Sequence, residues 1–348
     1  MMRRLLFPLA WIYRLGVTIR NLCYDRGIFR VRGVSTPVVS VGNLSVGGTG
    51  KTPVIRHLYS RLQSEGYRPA ILTRGYKRAG KEQQVIAEEE WEEVSVRSVG
   101  DEPAMLSMEL DGGRIVVNAD RVAGAHTAME ELYATLLLLD DGYQHRRLGR
   151  DVDIVVIPAE DTYQPERVLP AGRLREPWSS LARATHILLA GQGESVDWDK
   201  ANAFVKRYTH APVYKAVKRN APRLVNPQKG EVCDLSEEDT PIDAGVIAGI
   251  GNPRSFLDGL DDLSLRVVGK RVYSDHYPYP RGEQEKILGW IEEIGADILV
   301  MTAKDYIKWD AELRLQYPVY YLPLEIEIAE EFYTNVQNAF SESVGRRL

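Results

Sequence analysis

The sequence predicts an α/β fold: a parallel sheet with helices on both faces, a second, smaller α/β domain, and an amphipathic helix in front of both. Three observations lead there. A short apolar strand, Val38 to Val41, runs through a glycine-rich turn into a segment of helical periodicity. Further short apolar runs alternate with helical stretches, the pattern of strands buried on both faces. The first 33 residues differ from the rest in charge: seven arginines stand against one acid, a net +6, which leaves −11 for the remainder of a chain totalling −5. With 348 residues, 44% of them hydrophobic, about two domains are expected. Cys23 and Cys233 lie far apart without metal-ligand spacing, so neither a zinc site nor disulfide stapling is implied.

In the N-terminal segment, residues 1–33, Leu9, Ile12, Leu15, Ile19 and Leu22 recur at spacings of three and four, an apolar stripe on a helix starting near Pro8. Arg14 falls opposite the stripe, and Phe7, Trp11 and Tyr13 suit a membrane interface. A helix lying on an anionic leaflet is the favoured reading. Docking of the stripe on the protein's own core, nucleic-acid contact by the arginines, and a signal peptide with Leu5 to Tyr13 as its apolar region compete with it. No convincing small-x-small cleavage site follows, and no apolar run is long enough to span a bilayer.

The glycine-rich turn, Gly47-Gly48-Thr49-Gly50-Lys51-Thr52, is a phosphate cradle. Glycines let backbone N–H groups close on phosphate oxygens, Lys51 adds a mobile positive charge, and the Thr52 hydroxyl can hold Mg²⁺. A strict pattern wants glycine at position 45, where this chain has Ser45. The preceding strand and the apolar face Val54, Ile55, Leu58 and Leu62 that follows favour the cradle over a fortuitous turn, so the sandwich is read as P-loop NTPase-like.

Strands are expected at Ala70 to Thr73, Arg114 to Asn118, Leu136 to Asp140, Asp153 to Ile157 and Ile187 to Ala190, and helices after Lys51 and near 120–132 and 199–208. Residues 34–211 form this P-loop domain. Prolines at 212, 222 and 227 mark 212–227 as an extended linker with short strand-like character at Val213 to Val217. Residues 228–348 form the smaller domain, with a strand at Val246 to Ala248, an amphipathic helix at Glu283 to Ile294 and a strand at Ile298 to Met301. The turn Gly249-Ile250-Gly251-Asn252-Pro253-Arg254 lacks the third glycine of a dinucleotide fingerprint and reads as a tight strand-to-helix turn.

Leu136 to Leu139 end in Asp140-Asp141, an apolar strand delivering acid to Mg²⁺; either aspartate can serve. Asp101, in Gly100-Asp101-Glu102-Pro103, and the pair Asp275-His276 are weaker signals alone. Phosphoryl transfer raises their weight, because an acceptor hydroxyl must lose its proton and an Asp supported by a His can take it. Glu176, between Arg175 and Pro177, reads as a metal ligand or a structural ion pair.

Together with Thr73-Arg74-Gly75-Tyr76, Leu174-Arg175-Glu176-Pro177, Gly251-Asn252-Pro253 and Thr302-Ala303-Lys304-Asp305, these motifs resemble the tetraacyldisaccharide 4'-kinases, the lipid A 4'-kinases of Gram-negative bacteria. Tyr143, where the family often has Phe, and Ala303, where an acid is common, depart from its pattern without touching a proposed catalytic group. The resemblance implies an ATP-dependent kinase that phosphorylates the 4'-hydroxyl of tetraacyldisaccharide 1-phosphate to give lipid IVA, working peripherally at the cytoplasmic face of the inner membrane. It implies Asp101 as base with His276 in support, Lys51 on the phosphates, ATP on Gly47 to Thr52, and Thr52, Asp140, Asp141 and Glu176 at Mg²⁺. The partners expected are the glycolipid and the membrane surface, with neither nucleic acid nor an obligate protein partner. The alternatives are a membrane-associated P-loop ATPase or GTPase switch and a soluble small-molecule kinase.

Overall fold

A computed structural model describes residues 6–87, 91–110, 113–164, 167–193, 196–236, 240–261 and 263–345. In chain order it begins with α1 (Phe7–Asp25), β1 (Val38–Gly42), α2 (Lys51–Ser64), β2 (Pro69–Thr73), β3 (Gln84–Ile86), α3 (Val96–Val99), α4 (Asp101–Glu109), β4 (Ile115–Val117) and α5 (Arg121–Glu130). Then come β5 (Leu136–Asp140), β6 (Val152–Pro158), β7 (His186–Gly191), α6 (Trp198–Val205) and β8 (Val213–Asn220). The rest is β9 (Arg223–Asn226), β10 (Glu231–Asp234), β11 (Ile242–Ala248), α7 (Pro253–Asp258), β12 (Leu265–Val272), α8 (Arg281–Glu293), β13 (Ile298–Thr302), α9 (Ala303–Tyr306), α10 (Ala311–Gln316), β14 (Val319–Leu322), β15 (Leu324–Ile328) and α11 (Glu330–Gly345).

Two sheets organise the chain, and the mixed α/β fold with parallel sheets is the one the sequence predicts. The larger has nine strands in the order β15-β8-β7-β6-β1-β5-β2-β4-β3; the smaller has six, β10-β9-β14-β13-β11-β12. From β8 to β4 the larger sheet is parallel, with β3 and β15 antiparallel at its edges. Its central strands β1, β2 and β5 are buried along their whole length, as their near-continuous apolar sequences require. Val54, Ile55, Leu58 and Leu62 of α2 pack on the core as their periodicity predicts, each side chain contributing about 1.5–3 kcal/mol by burial.

Sheet membership differs from the segmentation read from sequence in two places. The stretch expected as a linker, 212–227, is strand on both sides of a turn: β8 pairs in parallel with β7 in the larger sheet, and β9 pairs antiparallel with β10 and β14 in the smaller. Its prolines are tolerated because they stand outside the paired strands, where no ladder N–H is needed. The chain also returns. β15 pairs antiparallel with β8, and α11 places Phe332, Tyr333, Val336 and Phe340 in the main core, so residues from 324 onward belong to the larger sheet's unit and not to the smaller one.

The N-terminal helix forms, yet its apolar stripe is uncovered. Leu9, Ile12, Leu15, Ile19 and Leu22 are all exposed, and Trp11 is 73% exposed. Docking on the protein's own core, one of the sequence alternatives, is therefore not what the stripe does. The helix attaches by another face, with Ala10 buried, Tyr13 Oη donating to the Arg175 carbonyl at 3.0 Å, and Arg20 and Asn21 donating to Glu176. Among the described residues, no helix is long and apolar enough to cross a membrane.

Candidate active site

The site gathers at the carboxyl ends of β1, β2 and β5, where open α/β sheets hold their ligands. Gly47 and Gly50 adopt φ of 108° and 90°, conformations that glycine enters without strain. At Gly50 a Cβ would also lie 2.6 Å from Lys218 Cε. No side chain caps the start of α2, so its first N–H groups are left for an anion. Asn43 Nδ2 donates to the Ser45 carbonyl at 2.7 Å and to Thr49 Oγ1 at 2.8 Å, bracing the turn from below. The irregular Ser45 has a use: its hydroxyl donates to Asp161 Oδ2 at 2.7 Å, tying the loop to the segment after β6.

Beside the loop lie the two acids at the end of β5. Asp140 is buried, and Thr73 Oγ1 donates to its Oδ2 at 2.9 Å. Burial, with the negative charges of Glu102 and Asp141, pushes its pKa up to about 7 against the pull of Lys51. Asp141, at φ 50°, lies 3.5 Å from Lys51 Nζ and accepts from Arg175 Nη1 at 2.7 Å. Burial alone would raise its pKa, but Lys51 and Arg175 outweigh that and hold it below the ordinary value. A buried carboxyl short of positive charge, next to an ionised one, suits a divalent cation. Among the described residues no cluster of three or more His, Cys, Asp or Glu side chains forms a metal cage, and Mg²⁺ needs none, since it binds through one or two carboxylates, a hydroxyl, phosphate oxygens and water.

Across from these groups, Asp101 opens α4 and meets His276 from the smaller sheet's unit, with His276 Nδ1 2.9 Å from Asp101 Oδ2. His276 has φ 65°, a conformation that non-glycine residues enter at some cost and that concentrates at functional sites. The next residue, Glu102, is close enough to raise the Asp140 pKa, which puts the Asp101–His276 pair within the same acidic neighbourhood.

Glu176 has a setting different from the one expected of a metal ligand. It is 1% exposed, and Arg20 Nη2, Asn21 Nδ2 and both terminal nitrogens of Arg183 donate to its two oxygens at 2.8–3.3 Å. Those four donors match the acceptor capacity of a carboxylate. Burial alone would raise its pKa, yet Arg183 and the other donors hold it below the ordinary value. Glu176 thus ties α1 to the body of the protein.

Four further charged residues belong to the site, and three of them, Arg121, Lys218 and Lys308, had no motif to announce them. Glu102 was visible only as part of an acidic turn. Arg121, buried, donates to the Asn118 carbonyl at 2.8 Å, and burial lowers its pKa to about 10 although the charges of Asp140 and Asp141 oppose the shift. Lys218, on β8, reaches the phosphate loop at Gly50; burial lowers its pKa while Glu160 and Asp161 pull the other way. Lys308 lies 3.4 Å from Asp101. Arg121, Lys218 and Lys308 are brought in by tertiary packing, which no local pattern announces: Lys218 lies on β8, paired with β7 on one side and β15 on the other.

A phosphate cradle at the head of a parallel sheet, flanked by acids and faced by an Asp–His pair, is the equipment of a P-loop phosphotransferase. Comparison with known proteins narrows this. The family model for tetraacyldisaccharide-1-P 4'-kinase matches residues 2–341, and the chain belongs to that family. It is 36% identical over 337 residues to the tetraacyldisaccharide 4'-kinase of Chlorobium limicola, covering 94% of each chain. The enzyme of Geobacter sulfurreducens is 35% identical over 318 residues, covering 91% of this chain and 87% of the relative. The crystal structure of LpxK from Aquifex aeolicus in complex with ATP superimposes with a TM-score of 0.77 at 30% identity, over 98% of this chain and 100% of the other.

Proposed function

We propose that this chain is a tetraacyldisaccharide 4'-kinase of lipid A biosynthesis that transfers the γ-phosphate of ATP to the 4'-hydroxyl of tetraacyldisaccharide 1-phosphate, giving lipid IVA. The observation that carries the reading is the Asp101–His276 contact of 2.9 Å, next to the turn that follows β2, because a kinase needs a base for its acceptor and a nucleotide switch does not. In the proposed mechanism the N–H groups of 47–51 and Lys51 hold the triphosphate, with Lys218 adding a second ammonium at the rim of the loop. Thr52, Asp140 and Asp141 would hold Mg²⁺, which when bound neutralises charge on the phosphate oxygens. His276 orients Asp101; Asp101 takes the proton of the acceptor hydroxyl as that oxygen bonds to the γ-phosphorus, the bond to the β–γ bridging oxygen breaks and ADP leaves. Glu176 enters this mechanism as the anchor of α1, since ligating Mg²⁺ would require Arg183 and Asn21 to release it.

The exposed stripe of α1 supports a peripheral place on the inner membrane, at its cytoplasmic face, where a glycolipid acceptor is held. The arginines of residues 1–33 favour anionic headgroups. The purified protein incubated with Mg²⁺, ATP and tetraacyldisaccharide 1-phosphate is expected to form the 4'-phosphorylated lipid. ATP hydrolysis without lipid product would sink the acceptor assignment in favour of the switch.

A further inference from the structure

The smaller sheet's unit contributes a buried cation to the base as well as a histidine. Lys308, 5% exposed, follows α9, and its Nζ lies 3.4 Å from Asp101 Oδ2 and 3.6 Å from Asp305 Oδ1, with the Tyr279 ring centroid 5.8 Å away. That Nζ is buried and makes no hydrogen bond inside the normal distance. A buried ammonium is costly unless paired, so its place between two carboxylates calls for an explanation.

Asp305 is the fixed side of the arrangement. Fully buried, its Oδ2 accepts from the Gly249 N–H at 2.9 Å and from Thr302 Oγ1 at 2.8 Å, while the Asp305 N–H donates back to Thr302 Oγ1. Gly249 has to be glycine here, because a Cβ would stand 2.9 Å from Asp305 Oδ1 and 2.6 Å from Tyr279 Oη. The turn that fails as a dinucleotide fingerprint, and the Thr302 to Asp305 segment, therefore build one rigid mount. Lys308 projects from it toward Asp101, which belongs to the other unit.

We propose that Lys308 is a positioning residue for phosphotransfer: its ammonium, held by Asp305, fixes the Asp101 carboxylate beside His276 so that Oδ1 is left for the acceptor hydroxyl. Both contacts from the smaller unit, His276 Nδ1 and Lys308 Nζ, fall on Oδ2. Lys308 keeps its protons throughout; the acceptor's proton passes to Asp101 alone. Because His276 and Lys308 come from one unit and Asp101 from the other, the base is aligned only while the two units are packed together. The inference rests on the reading of Asp101 as the base.

The test compares Lys308→Met, Lys308→Gln, Lys308→Arg, Asp101→Ala and the double variant Asp101→Ala/Lys308→Met in lipid phosphotransfer, with thermal unfolding of each. Loss of either neutral variant's kcat by about 10²-fold, the effect of a small misplacement of a reacting group, is expected with KM for ATP unchanged. Lys308→Arg should recover much of it, and Lys308→Met should cost nothing further once Asp101 is gone. Wild-type kcat in a folded neutral variant, or an equal loss with and without Asp101, overturns the proposal while leaving the base intact. Full turnover by Asp101→Ala overturns both, and so separates failure of the base reading from failure of this one. If Lys308→Met does not fold, Lys308→Gln carries the same comparison.

Discussion

α1 and α2 are written in the same pattern and end in opposite environments. Each has apolar residues at spacings of three and four, yet Val54, Ile55, Leu58 and Leu62 of α2 are no more than 2% exposed, whereas Leu9, Ile12, Leu15, Ile19 and Leu22 of α1 are 43–67% exposed. The difference lies in what stands opposite. The sheet faces α2 and removes its stripe from water, while α1 is held to the protein through Ala10, Tyr13, Arg20 and Asn21 on another face. An apolar stripe along a helix specifies that a face needs covering; the tertiary structure decides whether the protein covers it.

The contrast can be broken at four points. The chemical effects are largest: Asp101→Ala, at the start of α4, should lower lipid phosphotransfer by about 10²–10⁴-fold, and Lys51→Ala, at the start of α2, by about 10²–10³-fold, each in a protein that still unfolds cooperatively. Matched truncations of the stripes should then diverge. Leu58→Ala is expected to cost about 2–5 kcal/mol in urea unfolding, whereas Leu15→Ala, at 60% exposure, should stay within about 0.5 kcal/mol. Equal costs would mean that α1 is packed in solution.

A third comparison reads the surface of α1 directly. The double variant Ile12→Ser/Leu15→Ser should leave stability unaltered but weaken binding to anionic vesicles, by about 1.5–3 kcal/mol for each side chain that would have entered the lipid. Unaltered sedimentation with vesicles would remove the membrane from the account. The smallest effect concerns the attachment of α1. Glu176 has a depressed pKa in the folded protein, so its contribution is present above the ordinary value of 4.5 and is lost as pH falls through the lower folded value. Trp11 fluorescence and proteolysis of α1 should report its release only in that acid window, and Glu176→Gln should release it at neutral pH.

Most of the strand order's raw material was legible because buried parallel strands are short, apolar and punctuated. The phosphate loop, the acids ending β5 and the Asp–His pair were legible as chemistry. The linker was misread because Val213 to Asn220 has mixed polarity, with Lys215 and Arg219 exposed, which suits an edge region and carries no periodic signal. The return of β15 and α11 to the larger sheet was invisible, since no local feature states which sheet a C-terminal strand will join. Glu176 shows the same limit within the site: an acid between an arginine and a proline does not disclose that Arg20, Asn21 and Arg183 will converge on it.

The sequence by itself determined the phosphate cradle, the acids beside it, the helical stripes and the family, because each depends on short-range spacing that backbone geometry converts directly into structure. Only the tertiary structure decided that Lys218 reaches Gly50, that Lys308 stands between Asp305 and Asp101, and that the stripe of α1 stays exposed. Those outcomes join residues far apart in the chain, and long-range pairing is set by the packing of whole sheets and helices.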